Sequence, residues 1–324
     1  MTKLTQSTLE EVVSGLSRGI IVPTLTPFDD DGTILAHAVA DQARRFARID
    51  GIVGIAVNTA FHRRETLSAS ERTDAIRMTR TGLDPGQLLL SHVGTLSDAA
   101  LDETASCQAA GADAVIGSLV DWQKGHEGHS VDERIETLVD LVDRLPLPVI
   151  IAFDCGERRG SAAIEEIAHL ARHCGNVLGF TMGADDDVMQ YDQDYYALKS
   201  ISRPLACLPA STGTLFHNLN TGADGVLSPF ALMAPHEVAA LYQASRTGRF
   251  LDAQALHNRL SPLIGLLSGH DQMTQEGICR AVAHHRGLLA STNVRGNADP
   301  LCSQLLRRIH QVVDETGLKP ISWV

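Results

Sequence analysis

The feature that most constrains this chain is a recurring unit. A helix-like segment ends in a small residue beside an aspartate, and an apolar run follows. It occurs as IDGIVGIAV (49–57), AGADAVIGSL (110–119) and TGADGVLSPF (221–230). Further apolar runs read GIIVPTLTPF (19–28), LLLSHVG (88–94), LPVIIAFD (147–154), VLGFTMG (177–183) and PLACLPAS (204–211). These amount to about eight runs, continuous rather than alternating, as parallel strands covered on both faces must be.

Helical patterns lie between the runs. Residues 36–49 are amphipathic. Ser68 with Glu71, and Ser130 with Glu133, have capping-box spacing and predict helices running through Met78 and Leu145. Other helices are expected from near Ser97, Ser161 and Asp186. About eight βα units in series predict an α/β fold, a closed (β/α)8 TIM barrel, with a doubly wound open sheet as the competing topology. From 236 onward only helical patterns remain, at 236–247, 250–266, 274–287 and 300–316. The expected organisation is an N-terminal helical segment over 1–18, a barrel over 19–235 and a C-terminal helical extension over 236–324, packed on the barrel.

Charge and cysteine content narrow the function. The formal net charge of −12 opposes nonspecific binding to nucleic acid or an anionic membrane. No apolar run reaches the length of a membrane span, and Glu10 and Glu11 interrupt the amino terminus where a signal peptide needs an apolar core. The expected location is cytoplasmic. The 6 cysteines form no CxxC pair, which favours reduced thiols over disulfides or structural zinc.

In such barrels chemistry sits where strands end and the following loops begin. The positions to inspect are Thr24, Thr26 and Phe28 after the first strand, residues 58–65 after the second, and His92 and Thr95 on the third. Asp121 and Trp122 follow the fourth strand, and Asp154 ends the fifth. Thr181, Ser211 with Thr212, and Ser228 complete the ring.

Several pieces of this chain resemble the dihydrodipicolinate synthase/N-acetylneuraminate lyase family of Schiff-base (class I) aldolases. They are TLTPFDDDG (24–32), the AGADAV unit, LPVII (147–151), GNVLGF (175–180), TGADGVLS (221–228) and the helical tail 234–264. The resemblance runs from about residue 19 to 318 and implies the barrel fold and a homo-oligomer, a dimer or tetramer. It also implies a nucleophilic lysine at the end of strand six, in Gly-(Ile/Val)-Lys. Here the matching residues are Gly179, Phe180 and Thr181. The family's tyrosine on strand five matches the stretch 152–155, Ala-Phe-Asp-Cys. Its carboxylate-binding Gly-Thr/Ser-Thr-Gly-Glu loop matches 59–63, Thr-Ala-Phe-His-Arg, and its paired tyrosines match Asp121 and Trp122.

Imine catalysis needs an amine, which only lysine supplies among these side chains. The lysines are Lys3, Lys124, Lys199 and Lys319, none on a predicted strand. A lyase or aldolase-like enzyme acting on a small oxo or hydroxy acid without a lysine imine is therefore expected. The alternative is a non-catalytic small-acid-binding relative that serves as a sensor or partner subunit.

His92, Asp154, Asp121 and Thr181 are the catalytic candidates. His92, Asp121 and Asp154 form a mixed N/O set that suits Zn²⁺, Mn²⁺ or Fe²⁺, and a divalent metal could replace the imine as electron sink. The metal-free version uses Asp154 and His92 as acid and base. The competing reading is structural: a hydrogen-bonded core histidine, and aspartates that cap loops. Thr59, His62, Arg63, Arg158 and Ser211 are the substrate-binding candidates. The pairs Arg63/Arg64 and Arg158/Arg159, concentrated in an acidic chain, point to a small anionic organic acid. Each arginine could instead pair with Glu65, Glu157 or a neighbouring chain.

Overall fold

The computed structural model describes residues 6–59, 64–119, 130–154, 161–183, 187–296 and 301–321, with Asp154 and 161–163 described by backbone alone. Seven parallel strands stand in sequential order: β1 (Ile20–Pro23), β2 (Ile52–Val57), β3 (Leu88–Thr95), β4 (Ala114–Ser118), β5 (Val149–Asp154), β6 (Val177–Gly183) and β7 (Ala206–Pro209). Residues 224–227 close the ring. Asp224 and Leu227 donate to the carbonyls of Cys207 and Pro209 beside β7, and Ile21 of β1 donates to Val226 at 2.8 Å. The eighth expected strand is therefore a single bridge, Ile20 to Val226. The chain turns away at once into a buried short helix.

Alternation along the strands, offset by a register shift early in β6, divides the core in two. Leu88, Leu90, Ala114, Ile116, Ile150, Leu178, Ala206 and Leu208 point into the barrel and pack together. Their neighbours Leu89, Val115, Ile151, Phe180 and Cys207 point outward, beneath the helices. With aromatics at 4% of residues, aliphatic side chains fill both layers. A Cβ on Gly179 would sit 2.2 Å from the Ala206 carbonyl oxygen, so only glycine fits that close strand approach.

Helix α1 (Gln6–Leu16) plugs the amino end of the barrel with Val12 and Leu16. The outer helices are α2 (Ala36–Ala47), α3 (Ala69–Arg80), α4 (Asp98–Ala110), α5 (Val131–Asp143), α6 (Ser161–His173), α7 (Val188–Lys199) and α8 (Leu215–Thr221). Both expected capping boxes form: Ser68 and Ser130 each accept from the amide three residues on and receive that residue's carboxylate on their own amide. Asp187 caps α7 by accepting from the Gln190 amide at 2.9 Å.

The remaining helices are α9 (Phe230–Met233), α10 (Pro235–Arg246), α11 (Phe250–Leu267), α12 (Gln272–His285) and α13 (Ser303–Glu315). Two buried arginines on and just after α12 hold this layer: Arg280 ties it to the strand-one rim, and Arg286 ties its helices to one another. Arg280 pairs with Glu276 and donates to the Thr26 carbonyl at 3.0 Å. Arg286 pairs with Glu237 and donates to the carbonyls of Met233 and Lys319. No helix among the described residues is long and apolar enough to cross a membrane.

Candidate active site at the carboxyl ends of the strands

Strand register decides which candidates face the barrel interior. Ala152 pairs with Thr181, and Thr181 with Leu208, so Thr181 lies on the same face as the inward Leu208. It is 5% exposed. His92 follows the inward Leu88 and Leu90 at strand spacing and pairs with the inward Ile116. The Asp154 backbone pairs with Gly183 at the end of β5. Its side chain, and Asp121, His62, Arg63, Arg158 and Arg159, lie outside the described residues.

The strand of His92 changes register between His92 and Thr95. The change rests on Gly94, whose φ of +77° is one a side chain would strain. That turn directs the Gly94 amide back onto His92 Nδ1 at 3.0 Å. An imidazole nitrogen that accepts from an amide carries no proton, so the neutral ring holds its hydrogen on Nε2. Burial, with the nearby Arg64 charge, pushes the His92 pKa down to about 4. At neutral pH the ring is an uncharged donor through Nε2–H. Ligation through Nε2 would require moving that proton to Nδ1, against the Gly94 amide. Among the described residues no three His, Cys, Asp or Glu side chains gather closely enough to hold a metal.

The low pKa has a measurable consequence. The unfolded chain takes a proton on this histidine as pH falls below about 6.5, while the folded chain does not until about 4. Titration of His92 therefore reduces stability over that window as acid is added and contributes little at pH 7. Replacing His92 with Gln should recover on the order of 1 kcal/mol at pH 5, allowing for partial exposure. Urea unfolding of both proteins at pH 7 and 5 reads it; parallel losses on acidification would exclude the shift.

Arg64 is engaged within the fold. Its guanidinium pairs with Glu103 of α4, which also takes Arg72 at 2.9 Å, and its Nε donates to the His92 carbonyl at 3.3 Å. The partner within the chain is Glu103 and not Glu65. Half of the expected strand-two basic pair thus braces β3.

Hydroxyl groups occupy much of the described rim. Thr59 is 8% exposed, and its Oγ1 is buried with no hydrogen-bond partner among the described residues. Asn58 before it adopts φ +57° and turns the chain out of β2; its side-chain amide donates to the Arg72 carbonyl and to Ser91. Ser228 Oγ donates to the Ser211 carbonyl at 3.2 Å and lies 3.5 Å from Thr212 Oγ1. Ser211 and Ser228 are both buried. Thr24 Oγ1 donates weakly to the Ala56 carbonyl at 3.5 Å.

Neither described lysine is at this rim. Lys199 ends α7 and pairs with Asp224, and Lys319 follows α13. Lys3 and Lys124 lie outside the described residues. Cys207, beneath the helices, is fully buried with its thiol pKa pushed up to about 12 by burial, so it is core rather than nucleophile.

The sequence model of the Dihydrodipicolinate synthetase family matches residues 16–315. The chain belongs to that family. Among curated relatives, the 4-hydroxy-tetrahydrodipicolinate synthase of Prochlorococcus marinus (strain MIT 9313) is 26% identical over 251 residues, 76% of this chain and 80% of that protein. The same-named enzyme of Bifidobacterium longum (strain DJO10A) is 25% identical across 89% of this chain and 91% of its own. Among solved structures, a monomeric dihydrodipicolinate synthase variant superposes with a TM-score of 0.82 at 20% identity, covering 93% of this chain and 97% of that one. YagE of E. coli K12, a family member solved with pyruvate, gives 0.81 at 20% identity over 93% and 99%. These likenesses place the fold as a family barrel with C-terminal helices.

Sequence reasoning selected His92 and Thr181, which register turns inward. It did not assign a role to Glu103 or Gly94. The stretch SHVGT carried the signal for Gly94, because a glycine near a strand's carboxyl end marks a bulge. Nothing local marked Glu103, which meets Arg64 from 39 residues away.

Proposed function

We propose that this barrel is a lyase or aldolase-like enzyme that acts on a small oxo or hydroxy acid without a lysine imine. The observation that carries the reading is Thr181, an inward hydroxyl on β6 at the position matching the family's nucleophile. A hydroxyl can bond a substrate oxygen but cannot supply the nitrogen of an imine. Chemistry then falls to proton transfer and hydrogen bonding. His92 Nε2–H can stabilise charge developing on a carbonyl oxygen while a carboxylate, with Asp154 and Asp121 as the candidates, moves the proton. Thr59, Ser211, His62, Arg63 and Arg158 form the proposed binding set for the acid.

On this reading residues 19–235 are the catalytic barrel, flanked by 1–18 and the helical extension 236–324. The protein works in the cytoplasm as a homo-oligomer, a dimer or tetramer. Its hydrogen-bonded histidine supports the metal-free version over the metal-assisted one. A panel of 2-oxo and hydroxy acids tests the function by thermal shift and turnover, with and without divalent metals. Turnover of an acid without metal supports the reading. Stabilisation without turnover would assign the chain to the acid-binding alternative, and turnover only with metal would restore a metal.

A further inference from the structure

We infer that Arg64 is a positioning residue that fixes His92 as an Nε2–H donor facing the barrel interior. The inference deepens the metal-free reading above and rests on it for the donor's purpose, though not for its geometry. Arg64 opens a short helical turn after the strand-two loop. Its Nε reaches across to the carbonyl of His92. The same guanidinium lies about where a side chain on Gly94 would point, with Cζ and Nη2 each 3.4 Å from a Cβ built there. Arg64 therefore bonds one end of the turn, the carbonyl of the residue whose ring is held, and lies beside the other, the glycine whose amide holds it.

Val93 and Gly94 have no paired partner on β4, so the ladder does not fix the orientation of the peptide between them. A flipped peptide would direct a carbonyl at Nδ1 in place of an N–H, and the proton would move to Nδ1. The Arg64 bond to the preceding carbonyl opposes that rearrangement. Glu103 holds Arg64 in place and takes Arg72 on its other oxygen, so the brace is tied to both α3 and α4. Arg72 in turn donates to the Leu67 carbonyl at 2.7 Å, which secures the segment that carries Arg64. Lysine has no planar fork and cannot make this set of bonds, so Arg64→Lys should behave like a loss.

The test is nitrogen NMR of the full chain labelled at histidine, with the His92 signals identified by their absence in His92→Gln. In the unsubstituted protein at pH 7, Nδ1 should read as an acceptor nitrogen and Nε2 as a protonated one. In Arg64→Gln and Arg64→Lys the two signals should move toward each other as tautomers mix. Glu103→Gln, which leaves Arg64 whole, should give a smaller change in the same direction and serves if the Arg64 variants fold poorly. A proton on Nδ1 in the unsubstituted protein overturns the inference, as does an Nε2–H state that persists unchanged in every folded variant. Adding pyruvate is a separate arm. A shift at Nε2 supports the proposed function, and its absence counts against that function while leaving the positioning role standing.

Discussion

Arg280→Ala should cost about 3–5 kcal/mol of folding stability, the largest loss expected from a single truncation in this chain. The side chain is 1% exposed and lies between the helical extension and the barrel. Its Nε pairs with Glu276 at 2.7 Å, its Nη1 donates to the carbonyls of Thr26 and Asn293, and its guanidinium lies 6.0 Å from the Phe28 ring centre. Truncation strands the Glu276 carboxylate, 4% exposed, without that cation and leaves the buried Thr26 carbonyl and the half-buried Asn293 carbonyl short of a donor. The damage should reach the site as well, because Thr26 belongs to the strand-one rim. Replacing both partners, Arg280→Met with Glu276→Gln, should recover much of the loss because no lone charge stays buried. Denaturant midpoints of the three proteins decide it. A loss below about 1 kcal/mol for Arg280→Ala would show that the pair is not holding the layers together.

On the imine-free reading proposed above, Thr181→Lys should yield a protein that forms an imine. Thr181 points into the barrel beside Ala152 and Leu208, and both neighbours are small or aliphatic. A lysine placed there loses hydration and, among the described residues, its paired neighbours offer no carboxylate, so its pKa should fall and a free amine become available near neutral pH. The longer side chain should cost about 1–3 kcal/mol through overpacking. The expected outcome is a borohydride-stable adduct with pyruvate that maps to position 181. No efficient turnover is expected, because the strand-two loop and strand-five tyrosine of the family's pattern are also replaced. A folded Thr181→Lys protein that traps no pyruvate would mean that this strand end does not face the acid site.

The fold was readable because its signals are local. The Ser68 and Ser130 boxes each span a single turn, and both formed as spaced. The C-terminal patterns at 236–247 and 274–287 match α10 and α12 within a few residues. Boundaries shifted where the ladder depends on distant geometry. The run 19–28 keeps only Ile20–Pro23 as strand, because Phe28 turns back to bridge Ile34 around the aspartate turn. The run 221–230 keeps one bridge, because Ser228 caps the amide of Phe230 and the chain enters α9.

The site was readable in part. The sequence placed His92 at the carboxyl end of the third strand, and strand register turns it inward. The tautomer of His92 was not legible, because it depends on a peptide orientation at Gly94. The fate of Arg64 was not, because charge in a loop does not reveal a carboxylate on a helix 39 residues later.

The central claim is that this family barrel works, or binds, without a lysine imine. Borohydride reduction of the unsubstituted protein in the presence of pyruvate, followed by intact-mass and peptide analysis, tests it most directly. The predicted result is no adduct under conditions that label Thr181→Lys. A stable adduct on Lys124, or on any other lysine, would contradict the claim and return the protein to the family's standard chemistry.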